Sequence, residues 1–168
     1  PEVGLCVIPI PKRLAEEAER RGLDIEEVVI SALAEKLSLD PEDISRTRLE
    51  LAERFLEEAE KYMKEGDTVQ ASEKLYKAAE EAVKALATFY KIPEAEEARR
   101  RGRWTAALLF DAVERLAERR PEVRDQWTHA WFLHVEGFHE ARLKMEHVKA
   151  RARYVEDLVK TAREELRA

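Results

Sequence analysis

The break at Gly66 and Asp67 constrains the fold of this chain more than any other feature, because two long apolar patterns meet there and every local signal agrees on a corner. Before it, Ala52, Phe55, Leu56, Ala59, Tyr62 and Met63 recur at steps of three and four. After it, Ala71, Leu75, Ala78, Ala79, Ala82, Val83, Leu86, Phe89 and Tyr90 do the same. Asp67 followed three residues later by Gln70 has the form of a capping box, and Gly66 suits the left-handed residue that closes the preceding helix. The segment therefore predicts a helical hairpin, with one helix over 41–65 and a second over 67–91. Asp40-Pro41-Glu42-Asp43 supplies the start of the first: a cap, a proline in the first turn and acids beside the helix dipole.

With 168 residues, the chain has room for one helical bundle and a small appendage. Charged residues are 39% of it and glycine plus proline only 11 residues, which favours long solvated helices over an all-β protein. Asparagine is absent, glutamine occurs twice and methionine twice, a depletion of heat-labile residues typical of hyperthermophile proteins. The single cysteine, Cys6, can form neither an internal disulfide nor a cysteine-based zinc site. No apolar run reaches the roughly 18 to 20 residues of a membrane span, and residues 1–11 lack the pattern of a signal peptide. A cytoplasmic location with no membrane partner is the expectation. The net charge of −6 divides into −8 over residues 1–84 and +2 over 85–168, so any nucleic-acid contact has to be local.

Residues 3–10 are apolar and β-branched up to the Pro9-Ile10-Pro11 bracket and predict a short strand. A helix follows to about Arg21, closed by Gly22. Another starts at Asp24 with Glu27 completing a box, and carries Ile25, Val28, Val29, Ala32, Leu33 and Leu37 on one side. This strand-helix-helix order over residues 1–40 resembles the ribbon-helix-helix module, whose likeness implies that two chains share a ribbon. DNA readout is disfavoured: neither face of residues 3–10 offers a polar side chain, and Asp24, Glu26 and Glu27 at the start of the second helix repel phosphate. A strand apolar on both faces is expected to bury itself against a partner chain or the bundle.

Beyond the hairpin, 93–103 reads as a polar connection ending in Arg99, Arg100, Arg101 and Arg103. Three more helices are expected over about 104–119, 122–136 and 140–166. The last carries Ala141, Met145, Val148, Ala152, Val155, Val159, Ala162 and Leu166 as a narrow seam. The expected fold is all-α: an up-and-down bundle over 41–168 preceded by the arm over 1–40.

The stretch Leu56-Glu57-Glu58-Ala59, the Gly66-Asp67 hinge and Gln70 to Leu86 resembles the HEPN superfamily. Ala130-Trp131-Phe132-Leu133-His134-Val135-Glu136-Gly137-Phe138-His139-Glu140 is similar to a segment of its archaeal PaREP branch. The resemblance covers roughly residues 45–165 and implies a bundle that pairs with a second copy. Many HEPN proteins are metal-independent ribonucleases that use an arginine followed after four to six residues by a histidine. Arg142 and His147 match that spacing, the guanidinium to hold phosphate and the imidazole to move the 2′-hydroxyl proton. Leu143 departs from the polar residue expected after the arginine. On one continuous helix, residues five apart diverge by about 140°, so the pair converges only where the helix starts later or a second subunit completes the site.

His134 falls in line with Trp127, Trp131 and Phe138, as a hydrogen-bonded core histidine does. Trp104, Trp131 and His134 form a candidate pocket for a planar ligand or base. Arg99, Arg100, Arg101 and Arg103 form a candidate phosphate grip for RNA or a nucleotide, answered by Glu94, Glu96 and Glu97. Glu136 and His139 form one Glu-x-x-His unit, but a di-iron bundle needs two, and histidines at 129, 134 and 139 do not share a face of an α-helix. No metal or other cofactor is therefore expected. The functional expectation is a non-enzymatic, self-associating helical interaction protein, with the Arg142/His147 ribonuclease as alternative and a ribbon-helix-helix DNA regulator ranked third.

Overall fold

Alanine is what allows the two hairpin helices to lie close together: Ala52, Ala59, Ala71, Ala78, Ala79 and Ala82 are all fully buried, and their small side chains let the helices pack tightly along their length. The structure, a computed structural model, describes residues 6–167 and is helical throughout its regular elements. The helices are α1 Lys12–Arg20, α2 Ile25–Lys36, α3 Pro41–Glu65, α4 Thr68–Phe89, α5 Pro93–Arg101, α6 Ala106–Ala117 and α7 Glu122–Phe132. The π-helix Leu133–His139 then leads through a five-residue connector to α8 Met145–Arg167.

The corner between α3 and α4 forms as its residues dictate. Gly66 adopts φ 77°, its N–H and that of Asp67 close back on Met63 and Tyr62, and the Asp67 carboxylate accepts from the Gln70 N–H at 3.0 Å. Asp24 and Asp40 cap α2 and α3 in the same way. α4 is the central helix, packed by α3, α8 and the π-helix, with α6 and α7 completing the enclosure. Its burial extends well beyond one stripe: every residue from Glu81 to Ala87 is buried.

Several expectations are corrected. Residues 6–10 form no strand, since within one chain their backbone finds no partner ladder; residues 3–5 of that expected strand lie outside the described residues. On α2 the apolar side faces away from the bundle: Val28, Leu33 and Leu37 are exposed, whereas Glu27 and Ala34 are buried. The connection over 93–103 is largely helical, as α5, with Pro93 in its first turn and Gly102 at φ 70° closing it. The helix expected over 122–136 changes period at Leu133, and the helix expected from 140 begins only at Met145, because Ala141 takes φ 52° and interrupts it. Among the described residues no helix is long and apolar enough to cross a membrane.

Candidate functional site

The π-helix builds the first site. Its i to i+5 hydrogen-bond period stacks residues five apart on one face, and so it brings His134 and His139 together where an α-helix would separate them. Their Nε2 atoms lie 3.1 Å apart, and His134 Nδ1 lies 3.3 Å from Glu73 Oε2 on α4. The carboxylate accepts, so His134 Nδ1 carries the proton. When both rings are neutral, its Nε2 is the acceptor for the Nε2–H of His139. A hydrogen-bond chain thus runs from Glu73 through the largely buried His134 to the exposed His139.

Aromatic rings fix His134 in place. Tyr76 stacks on it at 3.9 Å between centroids, Trp131 lies at 5.3 Å and Phe138 at 6.1 Å. Phe110 closes on Trp131 at 4.8 Å, and Trp127 continues the stack behind. Burial raises the Tyr76 phenol above its ordinary pKa, and the charges of Glu80 and Glu73 raise it further. The π-helix approaches α4 this closely because residue 137 is glycine: a Cβ there would sit 2.2 Å from Ser72 Oγ.

Trp131 and His134 are therefore neighbours, but Trp104 lies elsewhere. With Arg99 and Gly102 it lines a cleft of about 630 Å3 between α2 and the bundle. At the edge of this cleft sits a buried charge cluster. Arg48 Nη1 donates to Glu27 at 2.6 Å and to Glu81 at 3.1 Å, its Nη2 pairs with Glu27, and Lys84 Nζ lies 3.2 Å from both Glu80 and Glu81. Burial opposes the charge on Glu27, yet hydrogen bonds from Arg48 and the Lys84 and Arg48 charges outweigh it and hold its pKa below the ordinary value. Lys84 is likewise disfavoured by burial but held above its ordinary value by Glu80, Glu81 and Glu27. Glu80 goes the other way, raised chiefly by burial.

The arginine run is answered locally. Arg99 bonds Glu96 at 2.6 Å, Arg101 bonds Glu97 at 2.5 Å, Arg100 pairs with the same Glu97, and Glu94 turns to Arg115. Arg103 reaches towards the arm at Gly22. Arg142 sits in the connector before α8, not on the helix, with its guanidinium on Glu136 through Nε and, at 3.2 Å, Nη2. His147 is in the first turn of α8, where its Nδ1 accepts from the Lys144 N–H at 3.1 Å. Among the described residues, no three histidine, cysteine, aspartate or glutamate side chains group as a metal site.

Comparison with known proteins identifies the lineage. The model of the archaeal PaREP1/PaREP8 family matches residues 47–159. The chain belongs to that family. A crystal structure of a Sulfolobus solfataricus protein is 41% identical to this PaREP1/PaREP8 chain, with a TM-score of 0.68 over 70% of it and 98% of the relative. A solution structure of the Orf c02003 protein is 43% identical, with a TM-score of 0.60 over 66% and 87%. No curated protein matches. The family match takes in α4, the π-helix and α3 from residue 47, with Arg48, and leaves α1 and α2 outside it.

Glu73, Tyr76, Arg48 and Lys84 carry no sequence signal of their own, and Glu27 reads only as part of a helix start. Charged residues on a charged helix give no sign of being buried. For His134 and His139 a signal existed: spacing of five across Gly137 is what a π-helix turns into a contact.

Proposed function

We propose that this PaREP1/PaREP8 chain is a non-enzymatic, HEPN-like helical interaction protein of the cytoplasm that associates with a second copy of itself through its N-terminal arm. The observation that carries the reading is where the exposed large apolar side chains lie. Among the described residues they are Val7, Ile8, Ile10, Leu14, Leu23, Val28, Leu33 and Leu37, all on the arm, and Phe110 alone elsewhere. Val7 is 87% exposed and Leu33 51%. Burying one such side chain contributes about 1.5–3 kcal/mol, so a patch of them strongly favours being covered.

A second copy fits better than an unrelated partner for two reasons. Residues 6–10 form no regular element, and pairing with an identical segment gives partners to their C=O groups and, Pro9 excepted, to their N–H groups in the ribbon-helix-helix manner. α1 and its C-cap Arg21 mix Lys12, Arg20 and Arg21 with Glu16 and Glu17, pairs that close within the segment and that two copies can exchange. The ribonuclease reading is weaker, because a phosphate has to displace Glu136 to reach Arg142. Light scattering at micromolar concentration tests the proposal. It requires a dimer or larger assembly, and a Leu33→Glu/Leu37→Glu variant of unchanged helicity that runs at half the mass or less. A wild-type protein that remains strictly monomeric ends this reading.

A further inference from the structure

The π-helix brings two imidazole nitrogens to the surface side by side, and the carboxylate behind them lacks a full counter-charge. His134 Nε2 and His139 Nε2 are 3.1 Å apart, with the ring planes at 79°. Two imidazole nitrogens bound to one cation at about 2.1 Å stand roughly 3.0 to 3.4 Å apart, as the angle between them goes from a right angle to the tetrahedral value. The pair already has that separation. Glu73 is 16% exposed and meets His134 Nδ1, yet among the described residues it pairs with no lysine or arginine. A carboxylate so largely withdrawn from water is stabilised by nearby positive charge.

We propose that His134 and His139 bind a divalent late transition metal ion through their Nε2 atoms, with Glu73 orienting His134 from behind and water completing the coordination. Glu73 accepts from the Nδ1–H of His134, which leaves the Nε2 lone pair of that ring directed at the ion; a carboxylate behind a ligating imidazole also raises its basicity. Tyr76, stacked on His134 at 3.9 Å, holds the ring in that orientation before any ion arrives. The proton that His139 Nε2 shares with His134 is displaced to the exposed Nδ1 of His139, so two neutral rings become two ligands without loss of a proton.

The donors select the ion. Imidazole nitrogen suits copper(II), nickel(II) and zinc(II), whereas magnesium and calcium require oxygen ligands. Two protein ligands are fewer than a structural zinc site uses, and His139 is exposed, so the ion keeps water in its remaining positions. Arg142, which follows in the connector, is held by Glu136 and brings no unmatched positive charge to the site. The site is built from α4 and the π-helix and uses nothing of the arm, so it stands or falls separately from self-association.

Calorimetric titration of the full chain with copper(II), in a Cys6→Ser background that removes the one thiol, tests the proposal. One ion per chain should bind, more tightly than nickel(II) or zinc(II), and magnesium should not bind. The electron paramagnetic resonance spectrum of the complex should show coupling to two imidazole nitrogens. His139→Ala, a change at an exposed position, should weaken binding about tenfold or more, and Glu73→Gln should do the same by releasing the His134 ring. His129→Ala/His147→Ala, which removes the other two histidines, should bind as the parent does, and Leu33→Glu/Leu37→Glu should still take one ion per chain. The proposal is overturned by absence of binding at one ion per chain, by a His139→Ala or a folded Glu73→Gln protein that binds as tightly as the parent, or by loss of the site in His129→Ala/His147→Ala.

Discussion

His134 and His139, five residues apart, hold their Nε2 atoms 3.1 Å from each other. That contact exists because the backbone between them runs as a π-helix, and it ties the two rings into one chain with Glu73, which accepts from the Nδ1–H of His134. The two histidines are unequal in burial. His134 is stacked on Tyr76, so His134→Ala should lower unfolding stability by about 2 kcal/mol, in the range of other large-to-small changes. His139 is exposed, and His139→Ala should change it by less than about 0.5 kcal/mol. Urea titrations of both variants check the contrast; equal losses would mean that the stacking is not what anchors the π-helix.

Among the described residues, Gly137 should be the least replaceable glycine. Its φ is ordinary for a helix, and the constraint is the neighbour: a Cβ would meet Ser72 Oγ at 2.2 Å and Ser72 Cβ at 2.5 Å. Gly137→Ala should therefore destabilise by about 1–3 kcal/mol through overpacking, and Ser72→Gly in the same chain should recover part of it. By contrast Gly66→Ala meets no atom and is costly only through its positive φ.

The buried charge cluster gives opposite pH signatures at two glutamates. Glu27 has a folded pKa below the ordinary 4.5, so its stabilisation is complete above that value and is lost as pH falls through the depressed one. Glu27→Gln should cost roughly 3 kcal/mol at pH 7, and the gap from wild type should narrow on acidification below pH 4.5. The pKa of Glu80 is raised, so its contribution is present below the ordinary value and lost as pH rises through the folded one. Glu80→Gln should accordingly be the more stable protein at pH 7, with the advantage disappearing in acid. Denaturation of both variants at pH 7 and pH 4 reads the two signs.

Single-stranded RNA incubated with the protein in EDTA should remain intact. The Arg142 guanidinium is held by Glu136, and His147 spends its Nδ1 on the start of α8. Cleavage that disappears in both Arg142→Ala and His147→Ala would reverse this expectation and restore the pair as catalytic.

What the sequence shows and what it hides follow from how the signals are encoded. Asp24, Asp40 and Asp67 announce helix starts, and Gly66 a corner, because caps are local and need only a few adjacent residues. α5 escapes notice because its nine residues include only Ala95 and Ala98 as apolar contacts, although Pro93, Glu94, Arg101 and Gly102 spell out both its ends. The orientation of α2 is harder still. Leu33 and Leu37 form a good apolar stripe, but Glu27 is what enters the bundle, and it does so for Arg48 and Lys84, partners far along the chain. The same applies to the cleft at Trp104: its walls come from separate helices, and nothing in the spacing of Ala34, Ala95 and Trp104 shows that they meet.

The anchoring of Glu27 also sets an order in time. Arg48 lies 21 residues further along the chain and Lys84 57, so during synthesis α2 is made before either of the residues that neutralise its carboxylate, and Lys84 comes well after Arg48. A segment synthesised earlier is thereby fully seated only later, and until α4 has been made the nascent chain carries α2 with its apolar side open and its carboxylate incompletely paired, for chaperones or a neighbouring nascent copy to capture.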